Sequence, residues 1–265
     1  MKFNVFGKKE NPVIVMLAGS FCAGNCLEYL YSKLCDDFRI LVPTYNGLYE
    51  NSANFTTREN EAKLIADYIV ADGIRTVAMV YGQSMGSEVG AELVKQLLDR
   101  GVNVQHAVFD GAPMIRLSKA YKAFMHFKFS TMIKLAKCKS VDEIMNMSLV
   151  KQLGGSKASA LRPMLEDVAA VAPFISKQTV KNQAECCYAF DFPAMSEQMQ
   201  KNMHFLYGSE EKAYKTCFKG VKKAYPRANY TVKDGHGHMT YSVEQTDDYV
   251  QLLRQIGMHD SSCMQ

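Results

Sequence analysis

Thr76 to Gly86 read Thr-Val-Ala-Met-Val-Tyr-Gly-Gln-Ser-Met-Gly, an apolar run that leads into a Gly-x-Ser-x-Gly pattern. The apolar part has the length and the β-branched content of a buried strand. Apolar residues at positions 89, 93, 94, 97 and 98 then predict an amphipathic helix, which Gly101 would end. A serine between such a strand and such a helix lies on a sharp turn, with its hydroxyl above the edge of the sheet. The pattern therefore makes Ser84 a candidate nucleophile.

The glycines on either side of Ser84 fit the same turn. A Cβ at Gly82 or Gly86 would collide with the neighbouring chain, and glycine avoids that collision. The positive end of the helix would also favour an oxyanion that develops close to Ser84. We expect the amide of Met85, the first residue after the serine, to be one donor to that oxyanion.

Short apolar runs recur along the chain and alternate with stretches of helical periodicity. This alternation predicts an α/β fold with a mostly parallel central sheet flanked by helices. Thr56 and Glu59 are predicted to form a capping box at the start of one of these helices. The predicted strands are Lys2–Phe6, Val13–Leu17, Arg39–Pro43, Thr76–Tyr81, Val104–Phe109, Met203–Tyr207 and Asn229–Val232.

The alternation stops between Pro113 and Asp191, where helical patterns occur and no buried strand is predicted. We interpret this stretch as a helical cap, residues 113–191, inserted into a single core domain made of residues 1–112 and 192–265. A chain of 265 residues fits one such domain.

The predicted cap is basic and rich in large flexible side chains. Arg116 to Lys181 contain 12 Lys and Arg against 4 Asp and Glu, a balance of +8 in a chain of net charge +4. The basic residues either favour an anionic substrate or an acidic surface, or form a solvated face. Its apolar residues suit an adaptable pocket, or they attach the cap to the core. They are Phe124, Met125, Phe127, Phe129, Met132, Met145 and Met147.

A serine hydroxyl needs a general base, and histidine is the usual one. The chain has six histidines, of which His106, His126, His204 and His259 fit structural or solvated positions. His236 and His238 remain, in a loop between the last predicted strand and the last predicted helix.

Gly235-His236-Gly237-His238 resembles the Gly-x-Gly-His pattern of the α/β-hydrolase superfamily. The resemblance covers the order of elements over nearly the whole chain, and it implies that fold with His238, rather than His236, as the base. It also implies an acid after the penultimate strand, where relatives carry Gly-x-x-Asp. Here Gly208-Ser209-Glu210-Glu211 puts Glu211 at that place, with Glu210 adjacent to it and Asp110 as a second candidate.

The resemblance implies a second oxyanion donor in the loop after Val13–Leu17. Relatives often carry His-Gly there, whereas this chain has Ala18-Gly19. The glycine is kept and the histidine is not, and we assign the donor to the amide of Ser20.

The expected reaction is cleavage of a carboxylic ester or thioester through an acyl-enzyme, on a small-molecule acyl substrate and without a metal or organic cofactor. The same triad could act on another bond, as a carbon–carbon hydrolase, an amidase or an acyltransferase. The substituted Ala18 and the unusual Glu211 also leave open a protein that binds a ligand without turnover.

Other classes of function find little support in the sequence. No pair of the eight cysteines has Cys-x-x-Cys spacing, and Cys22 with Cys26 fits two buried side chains better than a metal site. No nucleic-acid motif occurs. The first apolar run is too short for a signal peptide or a membrane span, so we expect a cytoplasmic protein without stable membrane insertion. The oligomeric state is not predicted.

Overall fold

The computed structural model describes residues 1–148, 150 and 155–258, and a seven-stranded sheet forms its centre. Across the sheet the strands lie in the order β1-β3-β2-β4-β5-β6-β7. β1 runs antiparallel to β3, and the other neighbouring pairs are parallel. The strands are β1 (Lys2–Phe6), β2 (Val13–Leu17), β3 (Arg39–Thr44), β4 (Thr76–Gln83), β5 (Asn103–Asp110), β6 (Met203–Gly208) and β7 (Asn229–Lys233).

The sequence predicted every one of these strands, and the differences are confined to the strand ends. β4 continues through Gly82 and Gln83 because these residues pair with Phe109 and Asp110 of β5. Apolar patterning does not mark such polar strand ends, although they lie at the edge of the sheet where the site is built. The fold class predicted from the sequence is thus confirmed.

Helices cover both faces of the sheet. α3 (Met85–Asp99) contacts Val80 through Gly90, and α11 (Thr246–Met258) contacts Met79 through Gly257. Because consecutive strand residues point in opposite directions, these two helices lie on opposite faces of the sheet. The helices are α1 (Glu28–Tyr31), α2 (Arg58–Ala71), α3 (Met85–Asp99), α4 (Lys119–Ala136), α5 (Val141–Met145), α6 (Arg162–Val171), α7 (Lys177–Tyr188), α8 (Glu197–Lys201), α9 (Lys212–Ala224), α10 (Thr240–Glu244) and α11 (Thr246–Met258), with 3-10 turns at Gly24–Leu27, Gly155–Leu161 and Ala172–Phe174.

The predicted ends of two helices have different outcomes. α3 ends at Asp99, and Gly101 follows in a left-handed conformation (φ +73°), as predicted. The capping box predicted for Thr56 and Glu59 is wrong by one residue. Thr57 caps α2 by accepting a hydrogen bond from the N–H of Asn60 (3.2 Å), because the N–H of Thr56 is directed to the buried carboxylate of Glu61.

The chain between β5 and β6 leaves the sheet and returns to it at one place. Its two ends pair with each other, since the N–H of Leu117 donates to the carbonyl of Tyr188 (2.9 Å) and the N–H of Phe190 donates to that of Ile115 (3.1 Å). The described residues between these ends are helical, with α4 packed against α7 and α7 packed against α3. We call residues 113–191 the β5–β6 segment.

Candidate active site

Ser84 occupies the sharp turn between β4 and α3. Its backbone angles, φ 52° and ψ −123°, are strained for a residue with a Cβ. A Cβ at Gly82 would lie 2.4 Å from the carbonyl oxygen of Gly86, and one at Gly86 would lie 2.2 Å from that of Leu17. The two glycines are therefore what lets strand, turn and helix approach so closely.

The turn is also tied to the neighbouring strand. The N–H of Ser84 donates to the carbonyl of Asp110 at the end of β5 (2.8 Å). Met85 is the first residue of α3, and amides at this position lack an intrahelical acceptor. The helix thus presents N–H groups and the positive end of its dipole beside Ser84.

His238 lies between Ser84 and Glu211 and contacts both. Its Nε2 is 3.0 Å from Oγ of Ser84, and its Nδ1 is 2.6 Å from Oε2 of Glu211. The predicted serine, histidine and acid, which come from three separate loops, therefore form one continuous hydrogen-bonded chain.

Small residues and a tight loop hold the imidazole in place. A Cβ at Gly111 would lie 2.5 Å from Cε1 of His238, so this glycine, with φ +61°, makes room for the ring. Before His238, the N–H of Gly237 donates to Oγ1 of Thr240 (3.0 Å); after it, Met239 is left-handed (φ 60°). These contacts direct the side chain of His238 toward Ser84.

Glu211 is almost fully buried, with 1% of its surface exposed, and it is fixed at both oxygens. Oε1 accepts a hydrogen bond from the N–H of Gly208 (2.8 Å), while Oε2 contacts His238. The neighbouring Glu210 points away and accepts hydrogen bonds from the N–H and Oγ of Ser156, both at 3.0 Å. The glutamate that contacts His238 is thus Glu211, the one that the resemblance favoured, and Glu210 bonds elsewhere.

The environment favours a protonated His238 more than an ordinary histidine site does. Burial by itself would lower its pKa, but the hydrogen bond to Glu211 and the charges of Glu211 and Asp110 outweigh burial and raise it. An imidazolium formed during proton transfer would therefore be stabilised where it forms.

Asp110, the second candidate acid, is buried close by but bonds elsewhere. Its Oδ2 accepts a hydrogen bond from the hydroxyl of Tyr249 (2.9 Å), which lies 3.3 Å from the hydroxyl of Tyr81. Burial and the charge of Glu211 raise the pKa of Asp110 to about 7. A carboxyl group that is partly protonated at neutral pH is a poorer partner for an imidazolium than Glu211.

The other histidines lie away from Ser84. The Nδ1 of His236 is 3.3 Å from Oγ1 of Thr240 and 3.8 Å from Oε2 of Glu244, and burial lowers the pKa of His236. His106 and His204 face each other between β5 and β6. His126 lies on α4 and has no contact with the site in the described residues, and His259 lies outside those residues.

The loop after β2 passes directly beside Ser84. A Cβ at Gly19 would lie 3.3 Å from Cβ of Ser84, so Ser20, the predicted second oxyanion donor, is adjacent to the nucleophile turn. Phe21 then adopts a left-handed conformation with φ 60°, which is unfavourable for a bulky residue.

Two residues of α7 hold this loop, and sequence reasoning missed both. Oε1 of Gln183 accepts a hydrogen bond from the N–H of Phe21 (2.9 Å), and Sγ of Cys187, one helical turn later, lies 3.4 Å from Oγ of Ser20. Gln183 is fully buried. Gln183 lies among the apolar residues Val180, Ala184 and Cys187, and this pattern could have indicated a buried polar group. Nothing in the sequence indicates its partner.

A cavity of about 100 Å³ adjoins the site. Its walls include Gln83 and Met239, which are chain neighbours of Ser84 and His238, and Leu161 and Met164 from the β5–β6 segment. Tyr29 adds a hydroxyl that accepts a hydrogen bond from Nε2 of Gln83 (2.9 Å). The lining is thus mainly apolar with a small polar end, as in many sites for small organic ligands.

Cys22, which precedes the 3-10 turn after β2, lies next to Cys26 within that turn. A hydrogen bond with Cys22, together with burial, raises the pKa of Cys26, which favours the thiol over the thiolate that binds metal. Within the part of the chain that the structure describes, no three His, Cys, Asp or Glu side chains are grouped so as to hold a metal ion.

Comparisons by sequence return nothing: no protein-family model matches the chain, and no curated protein matches it. Solved structures do match. An α/β-hydrolase family protein from Desulfitobacterium hafniense superposes with a TM-score of 0.75 at 15% identity, over 96% of this chain and 99% of that one. A thermophilic esterase from Thermogutta terrifontis superposes with a TM-score of 0.72 at 17% identity, over 96% of this chain and 91% of that one. MenH from S. aureus superposes with a TM-score of 0.68 at 12% identity, over 96% of this chain and 97% of that one. The chain therefore has the α/β-hydrolase fold.

Proposed function

We propose that the protein is a serine hydrolase that cleaves a carboxylic ester or thioester through an acyl-enzyme intermediate. The observation that carries the proposal is the hydrogen-bonded chain from Ser84 through His238 to Glu211, with distances of 3.0 and 2.6 Å. The distance from Ser84 to His238 is within the range for proton transfer from a nucleophile to its base, and the distance from His238 to Glu211 is that of a hydrogen bond to an acid that orients the base.

In the first half-reaction Oγ of Ser84 attacks the carbonyl carbon of the substrate. Nε2 of His238 takes the hydroxyl proton and then gives it to the leaving alcohol or thiol. Glu211 keeps the other ring nitrogen protonated and stabilises the imidazolium. In the second half-reaction His238 takes a proton from water as the water oxygen attacks the acyl-enzyme. His238 then gives that proton to Oγ of Ser84, which leaves as the free hydroxyl, and a carboxylic acid is released.

The negative oxygen of each tetrahedral intermediate needs donors that are in place beforehand. We assign this role to the amides of Met85 and Ser20. Met85 lies at the N-terminus of α3, and Ser20 lies in the loop that passes Ser84 at Gly19. Together they would form the oxyanion hole.

We assign the β5–β6 segment, residues 113–191, the role of a cap that shapes the substrate pocket. It provides Leu161 and Met164 to the cavity beside the site, and its α7 holds the loop that contains Ser20. Esterases among the proteins of similar structure, such as those from Thermogutta terrifontis and Exiguobacterium antarcticum, support an ester substrate.

A fluorophosphonate probe tests the proposal directly, because it phosphonylates only an activated serine. We expect the folded wild-type chain to be labelled at Ser84, and Ser84→Ala to abolish both labelling and hydrolysis of p-nitrophenyl acetate. Ser130→Ala, which removes a serine hydroxyl from α4, is the matched control.

Two outcomes would contradict the proposal. One is the absence of labelling in a wild-type chain whose folding is confirmed by circular dichroism. The other is labelling without turnover of any ester or thioester, accompanied by a ligand that raises the melting temperature and is not consumed. The latter result would indicate a binding protein.

A further inference from the structure

α4 has two different faces. Its inner face packs on the core, where the ring of Phe129 makes an edge contact with Phe21 (5.2 Å between centroids) and Ile133 is buried. Its outer face carries the rings of Tyr121, Phe124 and Phe127. These are 66%, 54% and 67% exposed, so no described residue covers them.

Exposed aromatic side chains are unusual at this density. Elsewhere in the described residues the exposed large apolar side chains lie one to an element, and Phe174 is the one aromatic ring among them. They are Val5, Val70, Leu98, Phe174, Val232 and Met258. Isolated exposed apolar residues need no explanation, but a cluster of rings on one helix indicates a binding surface.

The charge of α4 restricts what can bind there. Lys119–Ala136 contain four lysines and no Asp or Glu. Lys122 pairs with Glu185, and Nζ of Lys128 lies 5.6 Å from the ring centroid of Phe124. Lys119 and Lys134 are exposed and form no ion pair with any described residue. Lys134 follows Phe127 by seven residues and so lies on the same stripe of the helix, whereas Lys119 lies to the side of the rings. The exposed side of α4 thus combines aromatic rings with positive charge that no described residue compensates.

A second copy of the chain fits this face poorly, because a symmetric contact would bring two acid-free, lysine-bearing helices together. An anionic lipid surface fits it well. Aromatic side chains insert among the acyl chains and head groups, while lysines meet the lipid phosphates. Within the described residues no helix is both long and apolar enough to cross a membrane, so the contact would be one of adsorption.

We propose that the outer face of α4, formed by Tyr121, Phe124 and Phe127 and flanked by the exposed Lys119 and Lys134, is a docking surface for an anionic lipid bilayer. The inner face of the same helix contacts Phe21 in the loop beside Ser84. Docking would therefore hold the cap side of the candidate active site toward the lipid. This property goes beyond the proposed hydrolase activity and does not depend on it.

The test is sedimentation of the full chain with large unilamellar vesicles. One set contains phosphatidylcholine only, and the other contains phosphatidylcholine with 30% phosphatidylglycerol. We expect binding to the anionic vesicles, reduction of that binding by added salt, and little binding to the neutral ones. Phe124→Ser with Phe127→Ser should weaken the binding at least tenfold.

A matched pair of charge reversals separates docking from general attraction of a basic protein. Lys119→Glu with Lys134→Glu should weaken binding more than tenfold, because each lysine near the surface contributes about fivefold. Lys219→Glu with Lys223→Glu changes the net charge equally on α9, a basic helix without highly exposed aromatic rings, and should leave binding within about threefold. Thermal unfolding verifies that each variant is folded.

Three results would overturn the proposal. The first is no binding of the wild type to anionic vesicles. If the wild type then binds immobilised polyglutamate, the partner of this face is an acidic polypeptide and not a bilayer. The second is an equal loss of binding in both lysine pairs. The third is a wild-type dimer that the double serine variant converts to a monomer, with vesicle binding unchanged.

Discussion

The N–H of Phe21 donates a 2.9 Å hydrogen bond to Oε1 of Gln183, which lies 162 residues further along the chain. This contact joins the loop beside Ser84 to α7 of the β5–β6 segment. A buried glutamine from the segment thus holds the loop, so the segment contributes to the geometry of the site as well as to its walls.

Gln183→Met tests that role, because methionine fills a similar volume without an acceptor. The amide of Phe21 would lose its partner and the strained loop would relax. Removing an oxyanion donor itself costs about 10²–10³ in kcat, so we expect a smaller loss of about tenfold for a residue that acts through the loop. KM should change little, since the oxyanion develops during the reaction and is absent from the bound substrate. Steady-state kinetics on p-nitrophenyl acetate measures both.

The control for this substitution is Gln178→Met on the exposed face of the same helix. Its kinetics should match the wild type. Equal kcat values for the two variants, or a rise in KM with kcat unchanged, would mean that Gln183 does not position the loop.

The roles of the two buried acids are separated by Glu211→Gln and Asp110→Asn. Glu211 contacts the imidazole and Asp110 does not, so Glu211→Gln should lower kcat by about 10³–10⁴, as loss of a triad carboxylate does. The kcat of Asp110→Asn should stay within about tenfold of the wild-type value, since Asp110 acts on His238 only through its charge. The reverse order in measured kcat would assign the triad acid to Asp110.

The pH dependence follows from His238. The base works only when neutral, so kcat/KM should rise as His238 loses its proton. Because its pKa is raised, the midpoint should lie above about 6.5, the ordinary value for histidine. Glu211→Gln removes the negative partner, which lowers this pKa and moves the midpoint to lower pH. Kinetics from pH 5 to 9 measure the shift, and Glu210→Gln, at the half-buried neighbour that bonds Ser156, should leave the midpoint in place. A midpoint that moves upward in Glu211→Gln would contradict this account.

Much of the site was predictable because local chemistry fixes it. The turn at Ser84 follows from a buried strand, two glycines and an amphipathic helix, all within about 25 residues. The order of the strands places the loops with Glu211 and His238 at the same edge of the sheet, and the structure brings the three side chains together.

The remaining features depend on contacts that local patterning does not encode. The preference for His238 over His236 came from a resemblance. In the structure His238 is the histidine that contacts Ser84 and Glu211, and Gly111 leaves room for its ring. The hydrogen bond between Phe21 and Gln183 depends on how the β5–β6 segment returns to the sheet. Likewise, the cap of α2 is Thr57 rather than Thr56 because a buried Glu61 takes the N–H of Thr56, and burial is not visible in a motif.

The cavity beside the site limits the acyl group that it can hold. At about 100 Å³ it is smaller than an apolar cavity of about 150 Å³ that holds benzene, so we expect acetyl to butyryl esters to be preferred. Leu161→Ala removes a buried wall and should move the optimum of kcat/KM to longer chains, as measured with p-nitrophenyl esters from acetate to decanoate. Leu98→Ala, an exposed leucine of α3, is the control. An optimum that is the same in wild type and Leu161→Ala would show that this cavity does not receive the acyl chain.

The turn at Ser84 is too tight for a side chain at Gly86, whereas Gly220 on α9 has free space around it. Alanine should therefore change the free energy of unfolding in opposite directions at these two glycines. In Gly86→Ala the new Cβ would lie 2.2 Å from the carbonyl oxygen of Leu17 and 2.7 Å from that of Ala18. Backbone atoms at the end of β2 cannot move aside cheaply, so we expect the free energy of unfolding to fall by about 1–3 kcal/mol or more, and labelling of Ser84 to be lost. In Gly220→Ala no atom lies within 4 Å of the new Cβ, and the residue is inside α9, so alanine should add about 0.5–1 kcal/mol. Urea unfolding of both variants measures the two changes. If Gly86→Ala were as stable as the wild type and still labelled, the strained turn could not depend on a glycine at position 86, and the steric basis for selecting Ser84 from the sequence would be wrong.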